Sequence, residues 1–258
     1  MWKLSNIGRI FYGIATAGMG LQAIFLRNSP YFLLPPVYPG KTVMVVISLA
    51  IGILFAWTGE CIVFKQKARR ASLLLGGFLL LVFCYFVTYE LLLSHNYASP
   101  GEWENAEKGL ALAGGAFTVA GCFSQEDKNP LTRFLARLIP AGTIIFAITI
   151  ICFGMLHFVY AKQAASYIPA WIPGHLFWMY FCGAALLGSG IAIIFRIRVR
   201  LIAMLLGAMI LTWFIILHIP KVITAASADR ADEITSAFLA LAYSGIAFVI
   251  SGTSKKAA

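Results

Sequence analysis

Hydrophobic stretches alternate with short polar segments along the whole chain. Eight stretches approach the roughly 20 residues that an α-helix needs to cross a bilayer: 8–26, 43–64, 71–94, 109–124, 138–160, 175–195, 201–219 and 234–251. The stretch 109–124 is short and rich in glycine, so its insertion depends on neighbouring helices more than on its own hydropathy. The pattern predicts about eight transmembrane helices, or seven if 109–124 does not insert by itself.

The composition excludes a soluble domain. Of 258 residues, 60% are hydrophobic and 12% are charged, and the mean hydropathy is +0.86. A soluble fold of this length would need more polar side chains to cover its surface. The amino terminus, "MWKLSNIGRIFYG", lacks a small-residue cleavage pattern, so we interpret it as a retained helix and not a removed signal. We therefore expect an all-α, polytopic integral membrane protein.

Basic residues are distributed unevenly between the two sides of this predicted protein. Fourteen of the 20 lysines and arginines fall on one side of the eight-span topology, and six fall on the other: Arg27, Lys41, Lys108, Lys162, Lys221 and Arg230. Cytoplasmic loops of membrane proteins carry the excess of Lys and Arg. We predict a multi-pass protein of the inner (cytoplasmic) membrane with both termini cytoplasmic. Its expected partner is the lipid bilayer and not a nucleic acid, although the net charge is +10.

The second half of the chain matches the first. The segment "PPVYPG" at 35–40 aligns with "PAWIPG" at 169–174, and the segment 58–77 aligns with 189–208. The second alignment preserves glycines, a phenylalanine before a basic turn, and a Leu-Leu-Gly inside the next helix. Self-similarity of this kind is the signature of an internal repeat.

The repeat predicts how the chain is divided. Four spans per half is an even number, so both halves enter the membrane from the same side, as in parallel repeats related by an axis along the membrane normal. We predict a first four-helix repeat over 1–126 and a second over 127–258. The expected architecture is two four-helix bundles fused in one chain.

The second half resembles a known family of membrane proteins. Its sequence "GMLHFVYAKQAASYIPAWIPGHLFWMYFCGAALLGSGIAIIF", followed by a basic turn and "LLGAMILTWFIILHIP", is similar to the DoxX family of small four-helix proteins. That family is grouped with the DoxD subunits of thiosulfate:quinone oxidoreductase and more loosely with Surf4-type proteins. The resemblance covers 137–251 well and 7–124 more weakly, and the tandem arrangement departs from the family's single unit. It implies a membrane protein linked to respiratory or sulfur redox chemistry.

The four histidines of the chain all map to the outer half or outer ends of their spans: His95, His157, His175 and His218. His157 lies deepest, about one turn inside the end of the fifth span, where polar side chains are costly and often functional. Imidazole can bind a quinone carbonyl, carry a proton near neutral pH, or ligate haem iron. The histidines therefore point to an outward-facing pocket in the second repeat.

We take His157, His175, Trp178 and His218 as ligand-binding candidates. On the sixth span, His175, Trp178, Met179 and Cys182 share one helical face. The alternative interpretation is that His175, Trp178 and His218 belong to an interfacial belt that contacts headgroups and water. Quinone and haem both suit the candidates as cofactors. No metal-ion site is expected, because the sequence contains no H-E-x-x-H motif or closely spaced histidine pair.

Three further polar residues are secondary candidates. Glu90 and His95, near the outer end of the third span, could form a proton relay, and outward snorkelling of Glu90 is the alternative. Gln22 is the polar residue of the first half nearest to the position of His157, because "GLQAIF" at 20–25 aligns with "GMLHFV" at 154–159.

Two main hypotheses about function follow. The first is a membrane subunit in a redox or quinone-linked process, in contact with a redox partner protein. The second is a non-catalytic scaffold or cargo-type receptor that binds a partner through its outer loops. A small-solute transporter is a third hypothesis, which the scarcity of charged residues at mid-membrane does not favour.

Overall fold

The computed structural model describes residues 3–34, 40–95, 100–124 and 129–254, and this part of the chain is helical without strands. Two π-helical turns extend the regular helices, Glu90–Ser94 after the third and Phe214–His218 after the ninth. The all-α prediction is confirmed. The helices are α1 (Leu4–Leu26), α2 (Lys41–Phe64), α3 (Ala68–Tyr89), α4 (Pro100–Ala120), α5 (Pro130–Ala136), α6 (Ile139–Val159), α7 (Ala161–Ala165), α8 (His175–Ile194), α9 (Val199–Trp213), α10 (Ile219–Thr224) and α11 (Arg230–Thr253).

Within the described residues, seven helical segments are long and apolar enough to cross a membrane. They are α1, α2, α3 with its π-turn, α6, α8, the continuous segment Val199–Thr224, and α11. This number confirms a multi-pass membrane protein. The predicted eighth span lies on α4, which differs from the others in its charge.

Helix α4 begins before the predicted stretch 109–124 and carries Glu102, Glu104, Glu107 and Lys108 in its first half. Its second half, 111–120, is completely buried by other helices. With 21 residues and a rise of about 1.5 Å per residue, α4 is about 30 Å long, the thickness of a bilayer core. Neighbouring helices therefore cover α4, which is not apolar enough to insert by its own hydropathy.

The same backbone turn follows the second long helix of each half. Lys65 and Lys67 have φ angles of 61° and 53°, and Arg196 and Arg198 have φ angles of 59° and 42°. In the alignment of 58–77 with 189–208, these are equivalent residues. Left-handed conformations cost non-glycine residues roughly 1–2 kcal/mol, so their recurrence indicates that the two turns have the same geometry.

Equivalent glycines also join the first two long helices of each half. A Cβ on Gly20 of α1 would lie 2.7 Å from the carbonyl oxygen of Gly52 on α2. A Cβ on Gly154 of α6 would lie 2.9 Å from the carbonyl oxygen of Gly183 on α8. Both distances are too short for any side chain, so glycine is required for the close approach of these helices.

The two halves are in extensive contact with each other. Helix α1 packs against α11, and α4 packs against α6. Glycines mediate both interfaces: a Cβ on Gly245 would lie 2.6 Å from the Gly8 oxygen, and a Cβ on Gly142 would lie 2.7 Å from the Gly114 oxygen. The first helix of each half is therefore packed against the last helix of the other half.

The division into 1–126 and 127–258 stays a prediction. The elbow at 35–40, which we expect to superimpose on 169–174, lies outside the described residues except for Gly40. Lys128, Lys255 and Lys256 of the charge argument also lie outside them.

The basic turns meet at one end of the structure. Arg9 donates to the carbonyl oxygens of Ile62 and Val63 at the end of α2. Arg69 donates to the Phe123 oxygen at 2.8 Å, and Ser251 donates to the Arg200 oxygen at 2.7 Å. These bonds tie α1, α4 and α11 to the basic turns, whereas the opposite end contains the candidate site.

Candidate ligand-binding cavity

A cavity of about 740 Å³ opens at the end opposite the basic turns. Its walls come from α6, α8, α9 and α11, and residues of α4, α7 and the segment after α1 line its mouth. Its deep part is apolar and includes Ile150, Leu186, Met209 and Leu239. Cavities of this size with an apolar interior and a few convergent polar groups are typical of small-molecule sites.

His157 lies in the cavity wall with a defined tautomer. Its Nδ1 is 2.7 Å from the carbonyl oxygen of Phe153, one turn earlier on α6. Because a carbonyl oxygen can only accept, Nδ1 carries the hydrogen and Nε2 of the neutral ring is an acceptor. A Cβ on Gly183 of α8 would lie 3.0 Å from the Cβ of His157, so this glycine leaves the space that the imidazole needs.

His218 lines the same cavity from the π-turn that follows α9. It ends the π-turn Phe214–His218, a type of helix distortion that is frequent at functional sites. In the described part of the chain, its Nδ1 is buried and has no hydrogen-bond partner. A buried polar atom without a partner is costly, so a ligand that bonded His218 would remove that cost.

Trp178 also lines the cavity, but His175 does not. The Trp178 ring contacts that of Trp213, with centroids 6.0 Å apart and planes at 76°. Ile168 and Ile172 pack with Met179 in one apolar cluster, which leaves His175, the first residue of α8, in a separate shallow depression. Of the four residues predicted to share one face of α8, Trp178, Met179 and Cys182 line the cavity and His175 lies outside it.

The three secondary candidates lie away from the cavity. Glu90 is 1% exposed, and its Oε2 accepts a hydrogen bond of 2.6 Å from Ser94 on the same π-turn. His95 is exposed, with Nδ1 3.3 Å from the Leu93 oxygen. Gln22 donates from Nε2 to the Ala231 oxygen and to Thr235 Oγ1, both at 2.7 Å, so it connects α1 to α11.

The ion pairs at the cavity mouth are absent from the sequence-based set of candidates. Lys108 is 2.8 Å from Glu104, and Lys221 is 3.5 Å from Glu233. Each lysine also lies over an aromatic ring, Lys108 over Tyr31 at 4.9 Å and Lys221 over Tyr167 at 3.7 Å. The i,i+4 spacing of Glu104 and Lys108 is the one part of this arrangement that the sequence pattern could have indicated.

The mouth carries a small excess of negative charge. Glu104, Asp232 and Glu233 are three carboxylates against the two lysines Lys108 and Lys221. Lys108 pairs with Glu104, and Lys221 pairs with Glu233. The mouth therefore presents both signs of charge to a ligand.

No family model, curated protein or solved structure matches this chain. The resemblance to the DoxX family therefore remains a prediction from the residues quoted above. The cavity combines an apolar interior, a histidine that can accept a hydrogen bond and a charged mouth.

Proposed function

We propose that this protein is a membrane subunit of a quinone-linked redox process, and that its cavity binds a quinol. The observation that carries the proposal is the position of His157 and His218 on one cavity with an apolar interior. A quinol headgroup is planar, mostly apolar and polar at its ring oxygens. The resemblance to the DoxX family supports a quinone-type ligand, and the predicted orientation makes the cavity outward-facing.

The tautomer of His157 favours the reduced form of the ligand. Its Nε2 accepts a hydrogen bond, which a quinol hydroxyl can donate and a quinone carbonyl cannot. Oxidation of a quinol to a quinone releases two electrons and two protons. In this proposal His157 receives one proton, water at the charged mouth receives the other, and an electron-accepting cofactor on a redox partner protein receives the electrons.

Haem is the second candidate ligand, and one specific observation favours it. Histidines that ligate a metal commonly donate their other ring N–H to a backbone carbonyl, as His157 does to Phe153. His157, through Nε2, and His218 are the residues that would hold a haem in this cavity. Haem and quinol would occupy the same space, so one measurement separates them.

The experiment uses protein purified in mild detergent. Its absorption spectrum is recorded, and its bound lipids are extracted and analysed for quinones by mass spectrometry. We expect quinol, or the quinone that forms from it in air during extraction, at near-stoichiometric amounts in the extract of the wild type, and a Soret band in its place would identify haem. A wild type that contains neither would contradict the proposal and favour the scaffold hypothesis.

The variant His157→Ala tests the site itself. We expect it to lose the bound quinone and to keep normal membrane insertion and monodispersity. His175→Ala is the matched control, because His175 lies outside the cavity on the adjacent helix. Equal quinone content in His157→Ala and wild type would remove His157 from the site.

A further inference from the structure

The cavity continues as a slot between α8 and α9. The pairs α6–α8 and α9–α11 are closely packed, whereas α8 and α9 make far fewer contacts. The ring contact of Trp178 with Trp213 and the contact of Cys182 with Trp213 join the two helices near the mouth. The seam between α8 and α9 is therefore less tightly packed than the seams α6–α8 and α9–α11.

Two facing stripes of side chains line the slot. Trp178, Cys182 and Leu186 lie four residues apart on α8, and all three line the cavity. Met209, Trp213 and Leu217 form the opposite stripe with the same spacing. Eight residues of helix correspond to about 12 Å, so the slot extends well below the charged mouth.

The equivalent positions of the first half are filled by phenylalanines. Extended beyond 58–77 in the same register, the alignment places Phe55, Phe78 and Phe86 where the slot has Leu186, Met209 and Leu217. Phe55 and Phe86 are each 1% exposed, and the Phe55 and Phe78 rings meet edge to face at 6.3 Å. Smaller side chains at these three positions open the second half.

We propose that the ligand of this cavity is a membrane-dissolved quinol with a long hydrocarbon tail, and that the tail lies in the slot between α8 and α9. This inference rests on the proposed function and specifies its ligand class. The outer surfaces beside the seam are apolar and exposed, including Phe181 and Leu205, so a tail that leaves the slot enters the bilayer. A water-soluble quinol would use the headgroup site alone.

The test fills the slot with the residues of the first half. The double variant Leu186→Phe/Met209→Phe and the wild type are reconstituted in identical nanodiscs. The affinities of a long-tailed quinol and a tail-less quinol with the same headgroup are then measured. Phe55→Leu/Phe78→Met is the matched control, because it makes the reverse exchange in the first half.

We expect the filled variant to bind the long-tailed quinol at least about tenfold more weakly than the wild type, and the tail-less quinol within about twofold. The control should leave both affinities unchanged. If the filled variant binds both ligands as the wild type does, or loses both equally, the slot does not hold the tail. If the wild type binds neither ligand, the proposed function fails and this inference fails with it.

A second measurement does not depend on the stability of the double variant. A quinol with a photoreactive group at the middle of its tail is crosslinked to wild-type protein in nanodiscs, and the labelled peptides are identified. We expect labels on the stripes 178–186 and 209–217. Labels confined to α1, α2 or α11 would place the tail elsewhere and overturn the inference.

Discussion

The two halves of this protein have the same basic turn after their second long helix and differ in the side chains between their helices. Lys65 and Lys67 in the first half turn as Arg196 and Arg198 do in the second. In the first half, however, the space between the helices is filled by side chains such as those of Ala23 and Phe55, which are both fully buried. At the aligned positions the second half has His157 and Leu186, which line a cavity.

At these aligned positions, the cavity of the second half goes together with a change of side chains. Close-packed interiors have few voids larger than a water molecule. A cavity of about 740 Å³ next to a filled counterpart is therefore a local feature of the second half. Four predictions test how far the equivalence of the halves extends, in order of decreasing effect.

The largest expected effect is the difference in cysteine labelling between the two sides of the membrane. If the repeats are parallel, the equivalent turns at Lys67 and Arg198 lie on the same side of the membrane. In a cysteine-free background, single cysteines at these two positions should be protected from an impermeant maleimide in spheroplasts, whereas a cysteine at the exposed Ser166 should be labelled. Labelling at only one of the two turns would refute the parallel repeat, and labelling at both would reverse the predicted orientation.

The second effect concerns the glycine contacts. Gly154→Leu should destabilise the protein by at least about 3 kcal/mol or prevent its assembly, because the added side chain would meet the backbone of α8. Gly20→Leu should have an equal effect in the first half. Gly188→Leu is the control, since a Cβ there meets nothing within 4 Å. The free energy of unfolding of the three variants is measured by SDS titration. If only one of Gly154→Leu and Gly20→Leu is tolerated, the two halves pack differently.

The third effect concerns the tyrosines that hold α4. Tyr12 of the first half donates to the Leu112 oxygen at 2.8 Å, and Tyr243 of the second donates to the Lys108 oxygen at 3.2 Å. Tyr12→Phe should lower the free energy of unfolding by about 1 kcal/mol. Tyr243→Phe should cost less, because its bond is longer and its side chain borders the cavity. A larger cost for Tyr243→Phe in the same titration would contradict this order.

The smallest effect concerns Gln22, which aligns with Leu156. Gln22→Leu should change the free energy of unfolding by less than about 1 kcal/mol, because it removes the buried Gln22 Oε1, which has no hydrogen-bond partner among the described residues, along with the bonds that Nε2 donates. Thr235 still donates to the Ala231 oxygen at 3.1 Å, so that acceptor keeps a partner. Quinone content should be unchanged. A loss of bound quinone in this variant would mean that the first half contributes to the site.

Much of the fold could be predicted because hydropathy is a local property. The predicted stretches 43–64 and 175–195 agree with α2 and α8 to within two residues at each end. The prediction for α4 was less accurate, since its helix begins at Pro100 in a charged segment. In that segment Lys108 pairs with Glu104, and its ammonium also lies over the ring of Tyr31 from a distant part of the chain.

The site was partly predictable for a similar reason. The positions of His157 and His218 near helix ends follow from counting residues along apolar spans, and the structure brings both to one cavity. The position of His175 outside the cavity could not be predicted from helical spacing, because the spacing does not show how the preceding segment packs on α8. The partnership of Lys221 with Tyr167 depends on two elements that are 54 residues apart.

The sequence by itself determined that this chain is a helical membrane protein, where its helices turn, and which histidines lie near one end. These properties depend on the transfer of local segments from water to an apolar medium and on the charge of short loops. Only the tertiary structure decided that α1 packs on α11 and α4 on α6, and that a charged mouth covers an apolar slot. Those outcomes depend on which small residues come into contact across helices. Such contacts join residues as distant in sequence as Gly8 and Gly245.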